Sequence, residues 1–242
     1  TEYEAKADDR GTRIAVVDSV WFGKPRPSSG QPLGLSREAI VRKALEMLDE
    51  HGLAKLSMRK LAAELGAAPM SLYWHVPTKD ALLELCLDEV YGDFARPEPG
   101  AGWETALRGM MHSLRHLALK HPWWVRNIGE FATIGPNAVA MSDAMLGSMR
   151  AAGLSLVEAA RSVSTVSSYV IGFVIAEVNY SGSGRMDTAP PDLSKIADLY
   201  REKHPHYVEM LDEPLLWTIE GQFEFGLDCV IDGIRARIAA LD

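Results

Sequence analysis

The stretch from Ser57 to His75 limits what this chain can become more than any other. Ser57 stands where a helix N-cap belongs, Leu61, Ala62 and Leu65 fall on one helical face, and Gly66 stops the run. Small Ala62 lets two helices approach, Gly66 four residues on permits a sharp turn, and Leu72 six further on pins a second helix to the first. That spacing is the arithmetic of a helix-turn-helix, a unit that lays its second helix in the major groove of DNA. Pro69 fits only the first turn of that second helix, about Ala68 to His75, where its missing N–H costs nothing.

The flanks are helical too. Ser36 caps a helix whose Ile40, Val41, Ala44, Leu45 and Leu48 share one face, and Gly52 ends it. Pro77 and Thr78 open a fourth helix running to about Phe94. Glycine or proline then punctuates segments that predict helices near 103–120, 123–132, 137–151, 155–180, 192–210 and 214–240. No window alternates with the period of a strand, and no internal repeat is present. The expectation is an all-α chain with a flexible arm over 1–34, a DNA-binding domain over 35–80 and a ligand-binding and dimerisation domain over 81–242.

Charge separates the same parts. The chain carries −8 overall, yet residues 24–79 hold nine basic against five acidic side chains, and the acidic excess lies in the body that follows. A small basic module on an acidic body is the layout of a protein whose head meets phosphate. Two cysteines far apart, Cys86 and Cys229, provide no disulfide framework and fit a reducing cytoplasm. The most apolar window, Val163 to Val178, is shorter than a membrane span and holds Glu177 and several hydroxyls, so no membrane partner is expected. The first 23 residues lack the apolar core of a secretory signal.

Residues 35 to 83, and above all LYWHV at 72 to 76 with Lys79 and the ALL of 81 to 83, closely resemble the DNA-binding domain of the TetR family of bacterial repressors. The resemblance implies that Arg59 reaches a base edge, where a bidentate contact to guanine suits it. It makes Pro69, Met70 and Ser71 the groove-facing first turn of the recognition helix. Tyr73, His75 and Lys79 match its phosphate contacts, Ser57 with the helix N-terminus behind it offers another, and Lys60 is a weaker member of the set. Trp74 is expected to pack the small domain. SVWFGKPRP, residues 19 to 27, looks like a string of actinobacterial family members, and Lys24 and Arg26 on a tether could enter an adjacent minor groove.

The acidic body resembles the family's C-terminal domain through HPWW at 121 to 124 and FEFGLDCVIDGI at 223 to 234. Phe223, Leu227, Val230, Ile231 and Ile234 form one stripe, which in the family's arrangement pairs with a second copy. Met110, Trp123, Trp124, Phe131, Met145, Tyr169 and Phe173 supply aromatic and methionine surface for an organic effector, which Asn127 and Glu177 would orient. The fourth-helix position of the family's drug-binding histidine falls on Ala95, and no histidine lies between 122 and 203, which argues against metal-bound tetracycline. His112 and His116 lack the intervening Glu of a zinc protease, and nucleotide and hydrolase motifs are absent, so neither cofactor, metal nor catalysis is expected. The implied function is a homodimeric repressor of a palindromic DNA operator, released by a small organic molecule. The alternative is a DNA-binding architectural or adaptor protein without such a ligand, and a ligand-dependent change in operator affinity separates the two.

Overall fold

The computed structural model describes residues 19–22, 35–98, 100–130, 133–181, 193–211, 213 and 218–241. Among them the chain is helical with no strand. Its helices are α1 (Arg37–His51), α2 (Met58–Glu64), α3 (Pro69–His75), α4 (Lys79–Gly92), α5 (Trp103–Lys120), α6 (Pro122–Val125), α7 (Pro136–Ala151), α8 (Leu156–Ser181), α9 (Leu193–Tyr200), α10 (Pro205–Leu211) and α11 (Ile219–Ala239), with short 3-10 turns at Val20–Phe22 and Leu53–Lys55.

The head forms where the caps and glycines place it. Ser36 Oγ accepts the Ala39 amide at 3.1 Å and Thr78 Oγ1 the Ala81 amide at 3.0 Å, fixing the starts of α1 and α4. Ile40, Ala44, Leu61, Ala62 and Leu72 are fully buried between α1, α2 and α3. Helix α4 is buried almost all round, from Ala81 to Tyr91, because it packs on α1 on one side and α7 on the other. It is therefore the rod joining head to core.

The core is built on α8, which packs against α5, α7 and α11 through Ala159, Ser162, Val166, Val170, Val174 and Val178, spaced three or four apart and all buried. The helix is longer than the apolar window read from sequence, and Leu156–Asn179 is long and apolar enough by length and composition to cross a membrane. Its one buried stripe, opposite an exposed face carrying Ser164, Thr165, Ser168 and Gly172, is the pattern of a core helix.

Three expected boundaries shift. The segment expected as a helix over 123–132 ends at Val125, because the Asn127 and Glu130 amides turn back to Trp124 and Asn127 carbonyls and Gly129 takes φ +90°. The segment expected over 192–210 is two helices, α9 turning off after Tyr200 and α10 opening at Pro205, whose missing N–H suits a first turn. Helix α11 starts at Ile219, residues 214–217 lying outside the described set. Within the stretch expected as a flexible arm, one short piece is described. Ser19–Phe22 is a turn docked on α4, where Glu84 holds it.

Candidate DNA interface and regulatory core

In the head, Ser57 Oγ accepts the Lys60 amide at 3.3 Å and so starts α2, while its hydroxyl proton remains a donor. Gly66 takes φ +64°, a backbone that a side chain would strain, and the Ala67 amide closes the turn on the Ala62 carbonyl at 2.9 Å. Leu72 faces inward, so α3 presents Pro69, Met70, Tyr73 and Trp74 outward, Met70 and Trp74 being 70% and 69% exposed. Ser71 is half-buried on the same helix. Arg59 and Lys60 are exposed on α2 with no ion pair among the described residues. Lys79 is half-buried, with Nζ donating to the Leu53 carbonyl at 3.5 Å.

Two head residues differ from expectation. His75 is not offered to a phosphate: three residues after Leu72 it shares the inner face, 6% exposed, and its Nε2 is buried with no hydrogen-bond partner among the described residues. Trp74 does not pack the domain but stands exposed one turn beyond Met70, which outward phasing from Leu72 alone could have found. Lys24 and Arg26 lie outside the described residues.

The core gathers Tyr169, Phe173 and Glu177 of α8 as expected, and adds Arg115 of α5 and Phe223 of α11. Arg115 grips Glu177 with two hydrogen bonds of 3.1 and 3.0 Å, reaches Glu220 at 2.6 Å, and lies 4.3 Å from the centre of the Phe223 ring. Burial opposes the Arg115 charge, and the Glu177 and Glu220 hydrogen bonds outweigh it, so its pKa moves up. Glu177 is thus half of an internal ion pair and not a free group to orient a ligand. Tyr169 Oη donates to the Phe223 carbonyl at 2.7 Å, an approach that needs Gly226, where a Cβ would lie 2.3 Å from the Tyr169 hydroxyl oxygen.

The other expected ligand residues divide. Met110, Trp124 and Met145 are buried in the core, Trp124 edge-on to Tyr91 at 5.4 Å. Trp123 and Asn127 are engaged elsewhere. Trp123 Nε1 donates to Asp49 of α1 at 2.8 Å, His121 Nδ1 meets the same carboxylate at 2.7 Å, and Asn127 Nδ2 donates to the Trp123 carbonyl at 2.6 Å. They clasp head to core. Phe131 lies outside the described residues.

The expected dimer stripe is also corrected. Phe223, Leu227 and Ile231 are wholly buried and Ile234 is 5% exposed within one chain, because that face of α11 closes on α5 and α8. Only Val230 is half-exposed, in a groove of about 640 Å³ that it lines with Arg161, Ser164, Thr165, Cys229 and Gly233. On the α5–α11 edge, Arg108 binds Glu224 at 3.1 Å and also Asp228. There His112 Nε2 and an oxygen each of Glu220 and Glu224 lie within 4.8 Å of one another, a grouping invisible in the sequence that could take a metal ion. Both carboxylates are already neutralised by Arg115 and Arg108, which favours an ion-pair network over a metal.

A helix-turn-helix head with an exposed apolar and basic recognition face, joined by a buried helix to a helical core, defines a DNA-binding transcriptional regulator. The comparisons agree. Residues 40–86 match the family described as "Bacterial regulatory proteins, tetR family", and residues 96–238 match "Tetracyclin repressor-like, C-terminal domain". An HTH-type transcriptional regulator of Saccharopolyspora erythraea is 42% identical over 167 residues, covering 69% of this chain and 70% of that protein. The HTH-type transcriptional repressor DrrR1 of Streptomyces coeruleorubidus is 29% identical over 95% of this chain and 88% of its own. The structure of the Streptomyces coelicolor TetR family protein ActR in complex with actinorhodin superposes with a TM-score of 0.72 at 30% identity, over 84% of this chain and 98% of that one. The chain belongs to the TetR family of bacterial transcriptional regulators.

Proposed function

We propose that two copies of this chain repress transcription in the cytoplasm by binding a palindromic operator, and that a small organic molecule releases them. The observation that carries the reading is the outer face of α3: Met70 and Trp74 expose large apolar surface one turn apart, with Tyr73 between them in sequence and Arg59 and Lys60 exposed on α2, which packs on α3. Such a surface is costly in water unless a partner covers it, and thymine methyls and phosphates are the partners it suits. Arg59 supplies the base contact, and Ser57, Lys60, Tyr73 and Lys79 the phosphate contacts. With His75 buried, Trp74 takes its place in the interface. Lys24 and Arg26 add minor-groove contacts.

Dimerisation uses the outer faces of α8 and α11, where Phe225 is 72% exposed and the groove around Val230 and Cys229 lies open, in place of the buried stripe. The effector enters among Met110, Trp124, Met145, Tyr169 and Phe173, and actinorhodin, present with ActR, is the first probe. It acts by favouring a conformer whose recognition helices no longer match half-sites about one helical turn apart. The chain carries no reaction of its own.

The test is selection of duplexes from a random pool. Arg59→Ala should lower affinity for the selected palindrome about tenfold and relax its sequence, while Lys79→Ala should weaken all duplexes alike and flatten the salt dependence. Selection of no duplex by the wild type would overturn the reading.

A further inference from the structure

Two buried carboxylates have no part in either the DNA or the effector reading. Glu84 and Asp88 stand one turn apart on α4, each 5% exposed, and neither meets a cation among the described residues. A buried carboxylate persists only when donors are fixed around it. Glu84 accepts the Ser19 hydroxyl at 2.5 Å and the Val20 amide at 3.2 Å. Asp88 accepts the Asn137 and Ala138 amides at 3.1 and 2.9 Å, the unsatisfied first turn of α7, and its own carbonyl accepts Asn137 Nδ2 at 3.1 Å. There is no slack: a Cβ at Gly135 would lie 2.2 Å from the Asp88 carboxylate and 2.7 Å from the Trp21 ring. Three segments therefore meet on one rod. Residues 19–22 and α7 are both bolted to α4, only three residues separate α4 from the recognition helix, and α7 carries buried Met145 and Met149 into the core.

We infer that Glu84 and Asp88 are the positioning residues of a latch through which α7 and the N-terminal turn set the orientation of α4, and with it the DNA head. The inference rests on the regulator reading above. Asp88 makes α7 and the far half of α4 one body, so a displacement of α7 by an effector reaches the head undiminished. Glu84 makes residues 19–22 a strap across the same rod. The stretch before α1 thereby gains a second task, independent of any contact that Lys24 and Arg26 make with DNA.

Linkage lets the latch be tested without an effector. If α7 and the strap bias the head, operator binding must in turn bias them. Amide hydrogen exchange is followed in the full chain with and without a duplex selected by the wild type. In the wild type, the duplex should slow exchange at Val20, Asn137 and Ala138 by about fivefold or more. In Gly135→Ala, which removes no hydrogen-bonding group but forces Asp88 and Trp21 apart, that slowing should vanish and operator affinity should shift by a similar factor. Asp88→Ala, which removes the acceptor, should do the same at α7, and Glu84→Ala at Val20. Unchanged protection of α8 and α11 amides reports that each variant is folded. Wild-type amides at α7 and the strap that ignore the duplex would overturn the latch alone, as would variants that keep both wild-type affinity and slowing. Failure of the wild type to select any duplex would overturn the regulator reading instead.

Discussion

Removing the Arg115 guanidinium tests how the core of α5, α8 and α11 is held. Arg115 is 9% exposed and the Glu177 side chain 10%, so Arg115→Ala leaves a desolvated carboxylate with two broken charge-assisted bonds. Breaking a buried pair in this way costs about 3–5 kcal/mol, to which loss of the contact with the Phe223 ring adds about 0.5–1. Glu220 is 65% exposed and opens the pair to water on one side, which places the expected loss near the lower end, about 3 kcal/mol. Arg115→Met with Glu177→Leu removes both charges and keeps apolar volume, and should lie within about 1 kcal/mol of wild type. Urea unfolding of wild type, Arg115→Ala, Arg115→Met, Glu177→Leu and the double variant reads both the single loss and the cycle. A loss below about 1 kcal/mol for Arg115→Ala, or additive losses in the double variant, would refute a coupled buried pair.

Further outcomes follow from the same geometry. Leu227→Ala should cost about 2–5 kcal/mol at any protein concentration, because its stripe is intrachain core, while Phe225→Glu should keep that stability and yield monomers in sedimentation. Burial first, then the acidic neighbours Glu89 and Asp49, push the Cys86 thiol up, so it should stay inert to thiol reagents until unfolding, whereas exposed Cys229 should react in the folded Phe225→Glu monomer. Burial likewise pushes the Tyr91 phenol up to about 12 from an ordinary 10, against the opposing hydrogen bond with Trp124. The folded state therefore holds a proton that the unfolded chain gives up, and its contribution is full below pH 10 and lost as pH rises towards 12. Tyr91→Phe should flatten that part of the pH dependence of the urea midpoint.

What could be read from sequence was whatever a few adjacent residues decide. The caps Ser36, Ser57 and Thr78, the turn at Gly66 and the inward Leu72 are local facts, and each stands where the sequence placed it. Apart from Trp74 and His75, whose facing the phase of Leu72 already decides, the errors concern partners far along the chain. A stripe such as Phe223, Leu227 and Ile231 says that one face of α11 is covered, but nothing local says whether α5 and α8 or a second copy covers it. Glu177 reads as a polar group in an apolar run until Arg115, 62 residues earlier, is seen to hold both its oxygens. Trp123 and Asn127 read as pocket until Asp49 claims the indole.

The same reasoning explains why the charged residues of the core were the least legible and are the most informative. An apolar side chain tolerates many neighbours, so its burial identifies none of them. A buried carboxylate tolerates few, and Glu84, Asp88 and Glu177 each specify a particular donor across the fold. Two of these acids, Glu84 and Asp88, lie on the helix that joins the DNA head to the effector core. Apolar packing alone would let α4 settle against α7 in several nearly equal ways; a carboxylate that accepts two named amides permits one. A regulator needs α4 in discrete positions, since a rod that drifts continuously would blur the spacing of the recognition helices instead of switching it. The acids on α4 supply that discreteness, which is why their cost in desolvation is sustained in a helix buried almost all round.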